Sequence, residues 1–162
     1  MKRNGRFGVV LAIALMSSAT AFAGTATDAE FKTLIDGYYK AWTIPEGKGA
    51  EVPDNAARYY AKDAGLVFYD LAPMKYDGWA QYKEGVMKAF IDGMSSSSFV
   101  PNDDLRVTRR GTVAWTTVTF HISAKLKKGG SMAVDGRHTA IWEKRGGKWL
   151  IVHEHVSAPL PE

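Results

Sequence analysis

Gly136-Arg137-His138-Thr139-Ala140-Ile141-Trp142-Glu143-Lys144 and Lys148-Trp149-Leu150-Ile151-Val152-His153-Glu154-His155-Val156-Ser157 flank Arg145-Gly146-Gly147 near the end of the chain. β-Branched and aromatic residues on both sides of a glycine-containing turn read as a β-hairpin. The turn suits a three-residue loop with a glycine in the left-handed conformation, which sets Lys144 opposite Lys148. Side chains alternate between the faces of a strand, so this register decides every orientation. His138, Ala140 and Trp142 then share one face with Leu150, Val152, Glu154 and Val156. Arg137, Thr139 and Ile141 share the other with Trp149, Ile151, His153, His155 and Ser157.

Upstream, the same alternation predicts strands over residues 105–109, 112–125 and 131–144, so the C-terminal half is an antiparallel meander. In the long strand before the hairpin, Ala114, Val118, Phe120 and Ile122 form the more apolar face and are expected to point inward. Farther upstream the period changes to that of helices. Thr27 and Glu30 have capping-box spacing, and Phe31, Leu34, Ile35, Tyr38 and Trp42 predict a helix over residues 28–42. A short helical stretch over 54–61 and a strand over 65–70 follow. Asp77 is expected to cap a third helix carrying Trp79, Tyr82, Val86, Phe90 and Met94, with the Ser95 to Ser98 run as a loop. Helices gathered ahead of a run of strands imply an α+β fold, with helices packed on one face of the sheet.

The first residues have the layout of a secretory leader: Lys2, Arg3 and Arg6, an apolar run from Phe7 to Met16, and the small-residue site Ala21-Phe22-Ala23. Cleavage there assigns residues 1–23 to the leader and 24–162 to one domain, with a periplasmic or secreted location and no membrane attachment afterwards. The leader carries three of the 21 basic residues and none of the 17 acidic ones, so the remaining chain has a net charge of 18 − 17 = +1. With no sizeable basic cluster, nucleic acid is not an expected partner. The absence of cysteine excludes disulfide staples and thiol chemistry.

Residues 136–159, with Gly147-Lys148-Trp149, then His153-Glu154-His155-Val156-Ser157 and Pro159, resemble the terminal hairpin of SnoaL-like proteins of the nuclear transport factor 2 superfamily. The branch containing the association domain of calcium/calmodulin-dependent kinases is especially similar, and Tyr69-Asp70, Pro73 and Asp77-Gly78-Trp79 fit it too. The resemblance implies a cone-shaped curved antiparallel sheet wrapped around N-terminal helices, the cystatin-like fold, with a small-molecule pocket inside. It would place Asp70, Tyr82, Phe120, Ala140 and Val156 around the ligand. Related association domains put basic residues at the positions of Phe120, Ala140 and Val156. Apolar residues there favour a small, mainly apolar ligand over an anion.

In such a cone Asp70 should meet Glu154, His138 and a phenol from Tyr38 or Tyr82. Desolvation raises the pKa of a carboxyl among aromatic rings and suits it to proton transfer. Asp70 or Glu154 could then act as a base beside a carbonyl, with Tyr38, Tyr82 or His138 steadying the oxyanion, as in ketosteroid isomerase. The alternative is a binding module in which Asp70 caps backbone and Glu154 pairs with His138. Trp42, Trp79 and Trp142 are expected near the open end, and Tyr82, Phe120 and Val156 against the ligand. The outer face carries Trp115, Arg137, Trp149, His153 and His155, with Ile141 and Ile151 adding apolar surface, which predicts a homodimer through the sheet. His153 and His155 alone are too few ligands for zinc, so no metal site is assigned. No nucleotide fingerprint or Ser-His-Asp arrangement is present, and no cofactor is expected.

Overall fold

The computed structural model describes the backbone of residues 22–71 and 73–159, with side chains from residue 29 onward. The first helix, α1 (Phe22–Trp42), begins upstream of the expected start, so Thr27 lies inside it and is not its cap. The predicted leader lies outside the described residues apart from its last two. Phe31, Ile35, Tyr38, Tyr39 and Trp42 are buried along one side of α1, as the helical period requires. A short α2 (Val52–Ala56) carries Pro53 in its first turn, where a missing N–H costs no hydrogen bond, and residues 57–59 tighten into a 3₁₀ turn.

Strands β1 (Val67–Tyr69) and β2 (Tyr76–Asp77) pair antiparallel, and α3 (Gly78–Ala89) follows at once. Asp77 does not cap α3 with its side chain; its backbone N–H donates to the side-chain oxygen of Gln81. Gly78 makes the corner at φ +74°, and a Cβ there would sit 3.0 Å from the carbonyl oxygen of Ala64. The helix stops five residues before Met94. That residue instead opens β3 (Met94–Pro101), so the Ser95 to Ser98 run is a strand and not the expected loop. The correction has a tertiary cause. Neighbouring β5 (Val113–Leu126) supplies the ladder hydrogen bonds, while Ser97 exchanges backbone bonds with Ile44, and its Oγ also accepts from the Ile44 N–H.

The sheet is completed by β4 (Arg106–Arg110), β6 (Ser131–Arg145) and β7 (Lys148–Ser157), in the order β2-β1-β7-β6-β5-β3 with β4 also on β5. Among the described strand pairs β1–β7 is parallel and the others antiparallel. The chain passes from β3 to β4 along one edge of β5. Asn102 and Asp104 anchor that corner on Thr119. Inward on β5 are Ala114, Thr116, Val118, Phe120, Ile122 and Ala124, all buried, which matches the expected parity.

The closing hairpin departs from its expected register. Gly146 and Gly147 form a two-residue turn at φ +56° and +81°, and Arg145 pairs with Lys148. Two consecutive left-handed glycines match the twist of the flanking strands, which favours this tighter turn over three residues. A bulge then inserts Val152 between the pairs Trp142–Ile151 and Ile141–His153. Between turn and bulge the parity is reversed, so Trp149 and Ile151 lie inward beside Trp142 and not on the outer face. Trp149 is 4 % exposed, packs on Phe31 at 5.1 Å and donates Nε1–H to Glu30 at 3.0 Å. Trp149 is therefore removed from the predicted subunit seam. Beyond the bulge the expected parity returns: Ala140 pairs with Glu154 and His138 with Val156.

Candidate functional site

Four elements converge on one carboxylate. Glu154 projects inward from β7, Tyr38 from α1 and Tyr82 from α3, while Tyr60 follows the 3₁₀ turn and is held to β7 by a parallel bridge with Ile151. Glu154 is fully buried. Its Oε1 accepts from the hydroxyls of Tyr82 at 2.5 Å and Tyr60 at 2.9 Å, and its Oε2 accepts from Tyr38 at 3.1 Å. The Tyr60 hydroxyl in turn accepts Nε1–H of Trp42 at 3.3 Å. Burial, then the nearby Glu154 charge, pushes all three phenols well above their ordinary pKa, so they remain protonated donors. These bonds replace the water that the carboxylate loses on burial. Ala140, opposite Glu154, adds only a methyl group and leaves room for the ring of donors.

His138 stands beside this cluster, 2 % exposed and stacked on Tyr38 at 5.0 Å. Its Nδ1 is 3.3 Å from the Tyr39 hydroxyl. Its Nε2 is 3.4 Å from Oε2 of Glu154 but outside hydrogen-bonding geometry, a buried polar atom without a bonded partner. Burial likewise raises the Tyr39 phenol.

Asp70 follows β1 and is half-buried. Its Oδ1 accepts the Leu71 N–H at 2.6 Å. Burial first, and then the charge of Glu154, raises its carboxyl from 3.8 to about 7, while the hydrogen bond from Leu71 and the nearby Tyr82 hydroxyl partly oppose the rise. Tyr82 thus stands near both carboxyls and donates to that of Glu154. Tyr76 is pushed up to about 12, by burial and then by Asp70.

Between α1, α3 and the sheet lies a narrow cavity of about 60 Å³, counted by where the centre of a water molecule fits. At roughly 10–15 Å³ per water, that is room for a few waters or one compact ligand. Asp70, Tyr38, Tyr39, Tyr82 and His138 supply its polar atoms; Trp42, Ile44, Val86, Phe90, Phe99, Phe120 and Val156 are among its apolar lining.

Of the residues expected at the site, Asp70, Tyr38, His138, Trp42, Tyr82, Phe120 and Val156 meet on this wall. Glu154 lies behind it, closed off by its three phenols, and cannot reach a ligand directly. Trp79 and Trp142 are also displaced from their expected places. Trp79 packs at 4.7 Å on Tyr60, on the far side of the cluster, and Trp142 is buried edge-on to Phe31 with its Nε1–H bonded to Thr116 Oγ1 at 3.0 Å. Both are drawn away by the packing of other core aromatics. Tyr60 and Tyr39 were not singled out in the sequence. Tyr39 directly follows Tyr38, and Tyr60 ends the short helical stretch; only the bridge to β7 turns Tyr60 toward Glu154.

On the outer face Trp115 is 39 % exposed, and Arg137 and His155 are exposed. His153 donates Nδ1–H to the Val67 carbonyl at 2.7 Å, and Tyr69 stands edge-on to His153 and His155 at 5.5 and 5.7 Å. Among the described residues no three His, Cys, Asp or Glu side chains gather as a metal site, and no helix is long and apolar enough to cross a membrane.

A family model for the SnoaL-like domain matches residues 34–161. Among solved structures, the chain is similar to a nuclear transport factor 2-like superfamily protein from Salmonella enterica serovar Typhimurium, at 18 % identity and TM-score 0.72, covering 85 % of this chain and 94 % of that one. A protein with a cystatin-like fold from Caulobacter vibrioides is similar at 20 % identity and TM-score 0.60, covering 85 % and 92 %. So is the CaMKII association domain of C. elegans, at 13 % identity and TM-score 0.61, covering 84 % and 98 %. No curated protein matches the sequence. Identities this low speak for a shared fold, and function has to be argued from the site.

Proposed function

The chain belongs to the SnoaL-like domain family, and from that premise we propose that it is an exported protein that captures a small, mainly apolar molecule in the pocket between α1, α3 and the sheet. The observation that carries this reading is the pocket wall: apolar and aromatic nearly throughout, with Asp70 and His138 as its convergent polar groups. Sites that hold small molecules have this composition. Export rests on the leader-like residues 1–23. Native mass spectrometry of protein purified from its own host is the test. A bound small molecule released on denaturation is expected; polypeptide mass alone, together with no thermal shift from a panel of small apolar compounds, would rule the reading out.

A homodimer through the outer sheet face belongs to the same proposal. Trp115, Arg137, His153 and His155 are its candidate contacts, and one of the similar structures is itself an association domain. Light scattering should return twice the chain mass at micromolar concentration, and a monomeric mass would dismiss the seam.

A second reading, isomerase or lyase chemistry, is favoured by a half-buried Asp70 on the pocket wall with its carboxyl near neutrality. Asp70 would take a proton beside a substrate carbonyl. Tyr38 and Tyr82 are engaged by Glu154, which leaves His138 or Tyr39 to donate toward the oxyanion. Exchange of α-protons from enolisable ketones in heavy water, lost in Asp70→Asn, is the expected signature. Binding without exchange would leave the capture reading alone.

A further inference from the structure

We infer that the pocket selects a small organic cation, an apolar amine whose ammonium group pairs with Asp70 while its alkyl part lies among the aromatic rings. This deepens the capture reading and rests on it. The first argument is charge. Among the described residues no Lys or Arg lines the cavity, whereas Asp70 stands on its wall and Glu154 stands directly behind. An anionic ligand would meet the Asp70 carboxyl, with the Glu154 charge behind the wall, and no Lys or Arg among the described lining residues.

The second argument is what Asp70 lacks. One of its oxygens accepts the Leu71 N–H, and among the described residues no Lys, Arg or His forms an ion pair with it. A carboxylate removed from water without a counter-charge is held in an unfavourable state, and an ammonium ion would relieve it. A neutral ligand could offer a hydrogen bond but not the charge.

The rings supply the third argument. Trp42, Tyr82, Phe90 and Phe99 are among the aromatic residues on the wall, and the negative faces of such rings attract ammonium groups. His138, among the described wall residues the one able to carry positive charge, is nearly fully buried beside Glu154, whereas Asp70 is half-buried. The ammonium therefore belongs at the Asp70 end and the hydrocarbon deeper. A cavity of about 60 Å³ limits the ligand to a short chain unless side chains give way.

Asp70 is faced by Tyr82 on α3, Tyr76 on β2 and Glu154 on β7, and His138 on β6 lines the same cavity. Phenols raised above the neutral range keep their protons there. Alkyl ammonium groups are likewise protonated throughout it, so ionisation of Asp70 should strengthen amine binding as pH rises.

Isothermal titration of the full chain with 3-methylbutylamine, 3-methylbutan-1-ol and 3-methylbutanoate, which share one skeleton, tests the inference. The amine should bind at least tenfold more tightly than the alcohol, the carboxylate should bind most weakly, and amine affinity should rise several-fold from pH 6 to pH 8. Asp70→Asn should cost the amine at least tenfold and cost the alcohol much less, an unchanged circular dichroism spectrum being the control that the variant is folded. Should that variant not fold, the wild-type pH profile decides, and amine affinity that is flat or falls with pH overturns the inference. Alcohol binding as tight as amine binding also overturns it and leaves capture of an apolar ligand standing. Binding of none of the three overturns the inference, and the screen in host-purified protein then decides the capture reading separately.

Discussion

Glu154 and Asp70 are two carboxyls near one tyrosine, Tyr82, yet their surroundings differ in kind. Glu154 is fully buried and receives three phenolic hydroxyls, so the protein replaces the water that the group loses. Asp70 is less buried but receives fewer donors, and its carboxyl is pushed up to about 7. Depth alone therefore does not make a carboxyl reactive. What counts is whether the fold supplies donors and counter-charge in place of water, and the pocket keeps that supply for the group it hides. The group on the wall has no such set of donors.

The comparison can be broken most severely at its hidden end. Glu154→Ala should destabilise the fold by about 3–5 kcal/mol, because it strands three buried hydroxyls and opens a cavity at once. Urea denaturation followed by tryptophan fluorescence measures this, and a loss below about 1 kcal/mol would mean the cluster contributes little.

Asp70 is predicted to behave in the opposite sense. Its folded pKa of about 7 lies above the unfolded value of 3.8, so the native state binds the extra proton between those limits. Its stabilising contribution is full below about pH 4 and is lost as pH rises through 7, a loss on the order of 4 kcal/mol. Asp70→Asn should flatten that slope and be more stable than wild type at pH 8, read from denaturation midpoints at pH 4.5 and pH 8. Glu154→Gln sharpens the comparison further. Because the Glu154 charge contributes to raising Asp70, the amide should lower the Asp70 midpoint in an NMR titration.

Tyr60→Phe removes one donor to Glu154 and the acceptor of Trp42 Nε1–H, with an expected cost of about 2 kcal/mol in the same denaturation assay. The smallest effect is expected at the turn that precedes the site. Gly147→Ala forces a side chain into φ +81° and should cost about 1 kcal/mol, with ligand affinity unchanged, because the bulge at Val152 lies between the turn and Glu154.

Legibility in the sequence follows how local the determining physics is. Phe31, Ile35, Tyr38 and Trp42 announce a helix face because the period is written in adjacent turns, and Ala114 to Ile122 announce a strand face in the same way. Ser95 to Ser98 carry no apolar signal and become a strand because β5 lies alongside. Tyr60 carries no periodic signal either, and its role comes from contact with a strand about ninety residues later. The inward direction of Glu154 was legible although the register behind it was off: a turn one residue shorter and a bulge of one residue cancel in parity. Trp149, between those two irregularities, shows what happens where they do not cancel.

By itself, then, the order of residues determined the α+β layering, the aromatic interior and the parity of the β-strands far from irregularities, since each depends on spacing within a few positions. Only the tertiary structure decided that Glu154 is enclosed and Asp70 is not, that Tyr60 joins the cluster, and that Trp149 lies under α1. The reason is that desolvation and its relief depend on which distant groups meet in space, and no local pattern encodes that meeting.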